Sequence, residues 1–142
     1  SSAASDVYKR QVERLRFDQE MVSTMYMIEY DHSWYDDSFH DGTNGVEAKI
    51  DKFLSYLSYI CYMRKMGIIQ KKEFAILEYE LRRTCSSHNV CAYLWNIYHF
   101  SKKQNLKCTY QFLIDYGIEN GLIDKKCFMD STARIFPKYL NF

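Results

Sequence analysis

Residues 46–67 read VEAKIDKFLSYLSYICYMRKMG, and this stretch decides the fold. Val46, Ile50, Phe53, Leu54, Leu57, Ile60 and Cys61 recur at intervals of mainly three and four residues. That spacing lines one side of an α-helix for about four turns. Gly67 follows as a left-handed C-terminal cap, with Ile68 placed for the hydrophobic contact that accompanies such caps. Upstream, Asn44 with Glu47 three residues on makes a capping-box-like start.

The same grammar extends in both directions. Phe17, Met21, Met25 and Ile28 predict a helix over about 12–28, with Leu15 and Val22 beside them. Phe74, Leu77 and Leu81 turn inward from a helix over 71–85. Ser86, Ser87 and Asn89 form a turn and cap cluster, and a helix through Val90, Leu94, Ile97 and Tyr98 follows, with Trp95 near its middle. A further helix over 108–120 buries Phe112, Leu113 and Tyr116 before Gly121, and a short one starts at Lys125 and stops near Phe136 at Pro137. With five Gly, one Pro and no alternating strand pattern, the expectation is an all-α bundle. It should hold about five to six helices built from antiparallel hairpins, in one domain over 12–142.

Composition narrows the function classes. Hydrophobic residues at 47% exclude a disordered chain, and charged residues interrupt every apolar run before a membrane span is reached. No signal peptide is recognisable. The five cysteines, Cys61, Cys85, Cys91, Cys108 and Cys127, are odd in number and form no CxxC pair. They read as reduced, mostly buried thiols suited to the cytoplasm. A net charge of +1 argues against non-specific nucleic-acid binding as the main role.

Residues 1–11, SSAASDVYKRQ, resemble translated sequencing adapter, which implies a metagenomic origin; the alternative is a natural polar start to the first helix. These residues carry no functional weight here. Segment 66–74 (MGIIQKKEF) also echoes 120–128 (NGLIDKKCF), either as a duplicated hairpin or because helix–Gly–turn–helix sequences converge on one grammar. Convergence is the simpler reading. Residues 50–124, with an amphipathic helix, a Gly-Ile-Ile or Gly-Leu-Ile turn and a Trp-containing helix, resemble small uncharacterised all-helical bacterial and phage domains.

Several constellations could carry function. The loop over 31–41 holds four Asp, His32 and His40, and the aromatics Trp34, Tyr35 and Phe39. It fails as a calcium loop, since Phe39 replaces a ligand and Ala48 stands where the bidentate Glu belongs. His32, His40 and an Asp have no helical spacing to fix a transition metal, so neither metal nor cofactor is assigned. The reading taken is a partner-binding loop of Trp34, Tyr35, Asp36, Asp37 and Phe39, because aromatics dominate interface hot spots. The alternative folds those rings onto the bundle. Tyr56, Tyr59 and Tyr62 offer either boundary packing or a tyrosine-rich interface.

Arg83 and His88 have the Arg-x4-His spacing of the HEPN RNase motif. The resemblance implies an Arg on the scissile phosphate and a His as acid or base. Here Ser86-Ser87 reads as a turn, and Thr84 follows Arg83 where that motif favours Asn, Asp or His. Lys71, Lys72, Lys125 and Lys126 occupy first helical turns and, with Arg64 and Lys65, could form a phosphate site. Solvated lysines are the simpler account. No nucleotide-binding glycine loop, HExxH or nucleophile elbow occurs.

The leading expectation is therefore a non-enzymatic protein-interaction module with a protein partner. A phage or mobile-element product that inhibits a host defence complex suits the suggested provenance. The runner-up is a nucleic-acid or phosphate-binding helical domain, with HEPN-like cleavage as its catalytic version.

Overall fold

The computed structural model describes residues 2–30, 33–40 and 45–138, the side chains of Ser2 and Ala4 excepted. Among these residues there is no strand, and seven helices pack as a bundle: α1 (Ser2–Phe17), α2 (Gln19–Tyr30), α3 (Val46–Lys65), α4 (Lys71–Cys85), α5 (His88–Lys103), α6 (Gln111–Glu119) and α7 (Lys125–Met129). None of them is long and apolar enough to cross a membrane.

The apolar stripe of α3 forms the centre of the bundle. Ile50, Phe53, Leu54, Leu57 and Ile60 are sealed completely, and α6 supplies their main partner surface through Leu113 and Ile114. The helix expected over 12–28 is divided at Asp18. Its carboxylate Oδ1 accepts the N–H groups of Glu20 (3.0 Å) and Met21 (3.1 Å), so it starts a new helix at the point where it ends the old one. Gly45, at φ 71°, caps α3, and the Glu47 carboxylate pairs with His40 at 2.7 Å. The expected partner Asn44 lies outside the described residues.

Three inter-helix turns share one closure. After α3, Ile68 N–H reaches Met63 O and Gly67 N–H reaches Arg64 O; after α6, Leu122 and Gly121 repeat this on Gly117 and Ile118. After α5, Leu106 and Asn105 do the same on Ser101 and Lys102. Each is a Schellman motif with its left-handed residue at Gly67 (φ 76°), Gly121 (φ 69°) or Asn105 (φ 56°). Segments 66–74 and 120–128 share this closure, with Ile69 and Ile123 both buried behind it. The third turn escapes the sequence reading because Asn replaces the glycine. Helix α7 ends at Met129, well before Pro137, because the Asp130 carboxylate folds the chain onto Thr132 N–H (2.9 Å) and Oγ1 (2.6 Å).

Candidate functional site

The proposed partner-binding loop does not present its aromatics. Trp34, Tyr35 and Phe39 are 6%, 4% and 1% exposed, which corrects the reading of a free aromatic surface. They pack on one another and on Tyr93 of α5, with Tyr35 and Phe39 edge-on to the Tyr93 ring at 6.0 and 5.3 Å. Asn96 Nδ2 lies 2.8 Å from each of Tyr35 Oη, Ala92 O and Pro137 O, and its two hydrogens serve these three acceptors, tying loop, α5 and C-terminal segment together. Asp36 spends its carboxylate on the N–H and hydroxyl of Ser38, leaving Asp37 as the exposed acid of the pair. The loop is a plug in the bundle. His32, considered above as a metal ligand, lies outside the described residues.

The lysines of the phosphate set, Lys71, Lys72, Lys125 and Lys126, do not line the groove that Arg64 and Lys65 border with Asp115 and Glu119. Nor are the first-turn N–H groups uncompensated. Gln70 and Glu73 form a reciprocal capping box on α4, and the Asp124 carboxylate accepts Cys127 N–H at 2.9 Å on α7. That N–H bond is the main reason the Asp124 carboxyl is held below its usual range.

What the fold does build is a two-part groove along α2 and α4. The larger part, about 840 Å³, lies between Ile28 and Glu29 of α2, Tyr79, Arg82 and Arg83 of α4, and the start of α5 at His88. The smaller, about 460 Å³, runs on from Glu29 and Tyr79 past Tyr26, Tyr30 and Ile76 to Arg16 of α1. Around it stand Tyr26 (53% exposed), Tyr30 (68%), Ile76 (50%) and Tyr79 (65%), a concentration of large apolar side chains in water. Tyr26 and Tyr30 stack one helical turn apart with centroids 5.9 Å apart, and Arg83 both covers the Tyr79 ring and donates to its hydroxyl at 3.1 Å.

The floor of this groove is a carboxyl pair. Glu80 of α4 is buried and hydrogen-bonded to Glu29 of α2, and Thr84 Oγ1 donates to Glu80 at 3.3 Å. Burial first, and then the Glu29 charge and hydrogen bond, push the Glu80 carboxyl up to about 8. Glu80 therefore keeps its proton at neutral pH, and the Glu29 carboxylate faces Arg83 at 3.6 Å. With Arg83 paired to Glu29 on the floor, Arg16 and Arg82 give the groove its positive edge.

Arg83 and His88 do border the same cavity, and Ser86-Ser87 is the turn expected between them. Arg83 is engaged by Glu29 and Tyr79, while the His88 ring stacks on Phe136 at 5.9 Å. Of the expected tyrosine face on α3, Tyr56 is buried and donates to Gln11 O, whereas Tyr59 and Tyr62 are exposed and stacked at 6.0 Å.

The sequence reading missed the α2–α4 groove, although a signal was present. Ile76, Tyr79 and Arg83 share a face of α4 by spacing, and Tyr26 and Tyr30 are an i,i+4 pair. All five cysteines are free; Cys61, Cys85 and Cys108 are buried and Cys91 and Cys127 half-buried. Among the described residues no group of His, Cys, Asp and Glu is placed to hold a metal ion. Comparison with protein families, curated proteins and solved structures finds no match to this chain.

Proposed function

We propose that the chain is a protein-interaction module whose docking face is the α2–α4 groove, and that its partner is a protein segment carrying acidic and apolar side chains. One observation carries this reading: Tyr26, Tyr30, Ile76 and Tyr79 stand exposed together around a groove edged by Arg16, Arg82 and Arg83. Tyrosine and arginine supply much of the binding energy in protein interfaces, through large rigid contact area and multidentate donors. Covering one such side chain contributes up to about 1.5–3 kcal/mol. The positive edge selects for acidic partners and speeds their encounter. Read as a phage or mobile-element product, the chain would meet such a segment in a component of a host defence complex.

The test is binding of a library of acidic amphipathic peptides, measured for the native chain, Tyr30→Ala/Tyr79→Ala and Tyr59→Ala. Peptides combining Asp or Glu with Leu or Phe should bind the native chain and Tyr59→Ala, weaken with salt, and lose at least about tenfold affinity with the double variant. Equal binding by the double variant would remove the groove from consideration.

A second reading rests on Arg83 and His88 sharing the larger cavity. It makes the site one for single-stranded RNA, with Arg83 on a phosphate and His88 as acid or base. His88→Ala should then abolish cleavage of a single-stranded RNA, and full cleavage by that variant would end it.

A further inference from the structure

At the C-terminal end of α5 the chain gathers positive charge. Lys102 and Lys103 of the last turn of α5 and Lys138 of the C-terminal segment line one depression of about 540 Å³ with Trp95, His99 and Ser131, and no carboxylate among the described residues lines it. Lysines at a helix C-terminus ordinarily answer unpaired carbonyls. Here the Schellman closure has already done so: Phe100, Ser101 and Lys102 carbonyls accept the N–H groups of Gln104 (3.0 Å), Leu106 (2.8 Å) and Asn105 (3.0 Å). The ammonium groups are not needed as caps.

Two of the three are held in place by aromatic faces. Lys102 Nζ sits 5.4 Å from the Tyr98 ring centre and Lys138 Nζ 5.3 Å from that of Trp95. The neighbouring acid, Asp130, accepts from Thr132 through its carboxylate, which also lies within electrostatic reach of His99, and its carbonyl accepts Trp95 Nε1–H at 3.0 Å. His99 Nε2 lies 2.8 Å from Phe128 O, a carbonyl that can only accept, so Nε2 carries the proton and Nδ1 is the ring's remaining polar atom. Three lysines bordering one concavity raise its positive potential, which an anion bound there would relieve. The volume lies in the range of small-ligand sites.

From these observations we infer that the α5 C-terminal depression is a binding site for a multiply charged phosphate, held by Lys102, Lys103 and Lys138. It is separate from the α2–α4 groove and stands whether or not that groove docks a protein. The phosphate could belong to a small molecule or to a nucleic-acid strand, and the two sources are distinguished by the probe.

The experiment is calorimetric titration of the full chain with pyrophosphate and, separately, with a short oligothymidylate. Pyrophosphate should bind, with affinity falling as salt rises. Lys102→Gln/Lys103→Gln and Lys138→Gln should each lower it about tenfold or more, the scale of a lost charge-assisted hydrogen bond. Lys71→Gln/Lys72→Gln, at the far end of another helix, should bind as the native chain does, and unchanged melting temperatures would show all three variants folded. Tighter binding of the oligonucleotide, lost with the same lysines, would assign a nucleic-acid strand; pyrophosphate binding alone would assign a small phosphate. Binding of neither probe, or binding indifferent to all three lysines, overturns the site.

Discussion

The carboxyl groups of Glu29 and Glu80 share a hydrogen bond across the α2–α4 contact, beneath the exposed rings of Tyr30 and Tyr79. Two acids so placed cannot both ionise cheaply, and Arg83 at 3.6 Å faces Glu29. The proton on Glu80 is thus part of the floor on which the docking face rests.

Stability should follow that proton. Glu80 has a folded value of about 8 against an ordinary 4.5, so the folded chain holds a proton that the unfolded chain has released over this interval. Stability contributed by the pair is then fully present below pH 4.5, declines as pH rises to about 8, and levels off above it. The slope should be on the order of 1 kcal/mol per pH unit, and Glu80→Gln should flatten it and melt higher than the native chain at pH 9. Parallel melting curves for the two proteins across this interval would contradict the shared proton.

The aromatic plug should matter to folding. Phe39→Ala removes a ring that is 1% exposed and packed on Trp34, Tyr35 and Tyr93, and should cost about 3–5 kcal/mol. Asp37→Ala, on the exposed side of the same loop, should stay within about 0.5 kcal/mol of the native chain. Denaturant titration separates the two, and a Phe39→Ala protein of native stability would mean that the ring is not buried.

Two substitutions at turns of the same type should act in opposite directions. Asn105 occupies the left-handed position that Gly67 and Gly121 fill elsewhere, so Asn105→Gly should add a few tenths to about 1 kcal/mol. Gly117 needs its glycine for a different reason. A Cβ there would lie 2.5 Å from Ile123 Cδ1, and Ile123 is pinned by burial and by its N–H bond to Gly117 O. Gly117→Ala should cost about 1–3 kcal/mol from overpacking, exceeding the roughly 1 kcal/mol that alanine gains in a helix. Melting temperatures give both signs.

Thiol chemistry should report the core directly. Burial pushes Cys91 up to about 11 and Cys61 up to about 12, the latter helped by Glu119 and Glu78, and raises Cys85 as well. At pH 8 these three should resist a disulfide exchange reagent until the chain unfolds, because the thiolate is the reacting form. All five should react in denaturant. Prompt labelling of Cys61 in the native protein would show the α3–α6 contact to be open.

The helices were legible because a period of 3.6 is local: the spacing of Ile50, Phe53, Leu54 and Leu57 dictates a helix and its buried side whatever lies opposite. Gly67 and Gly121 announced their turns since few other residues tolerate positive φ, and Asn105 hid a third because it is one of those few. The fate of residues 33–40 was not local. An irregular loop has no period, so Trp34, Tyr35 and Phe39 read alike whether they face water or the core; Tyr93 and Asn96, more than fifty residues later, decide the matter. The α2–α4 groove and the lysine-lined depression likewise join side chains from separate elements, a proximity that depends on helix packing. Sequence alone determined that the chain is helical and that the α3 stripe turns inward; tertiary packing decided which aromatics and charges remain at the surface, Phe17 of the stripe expected over 12–28 among them.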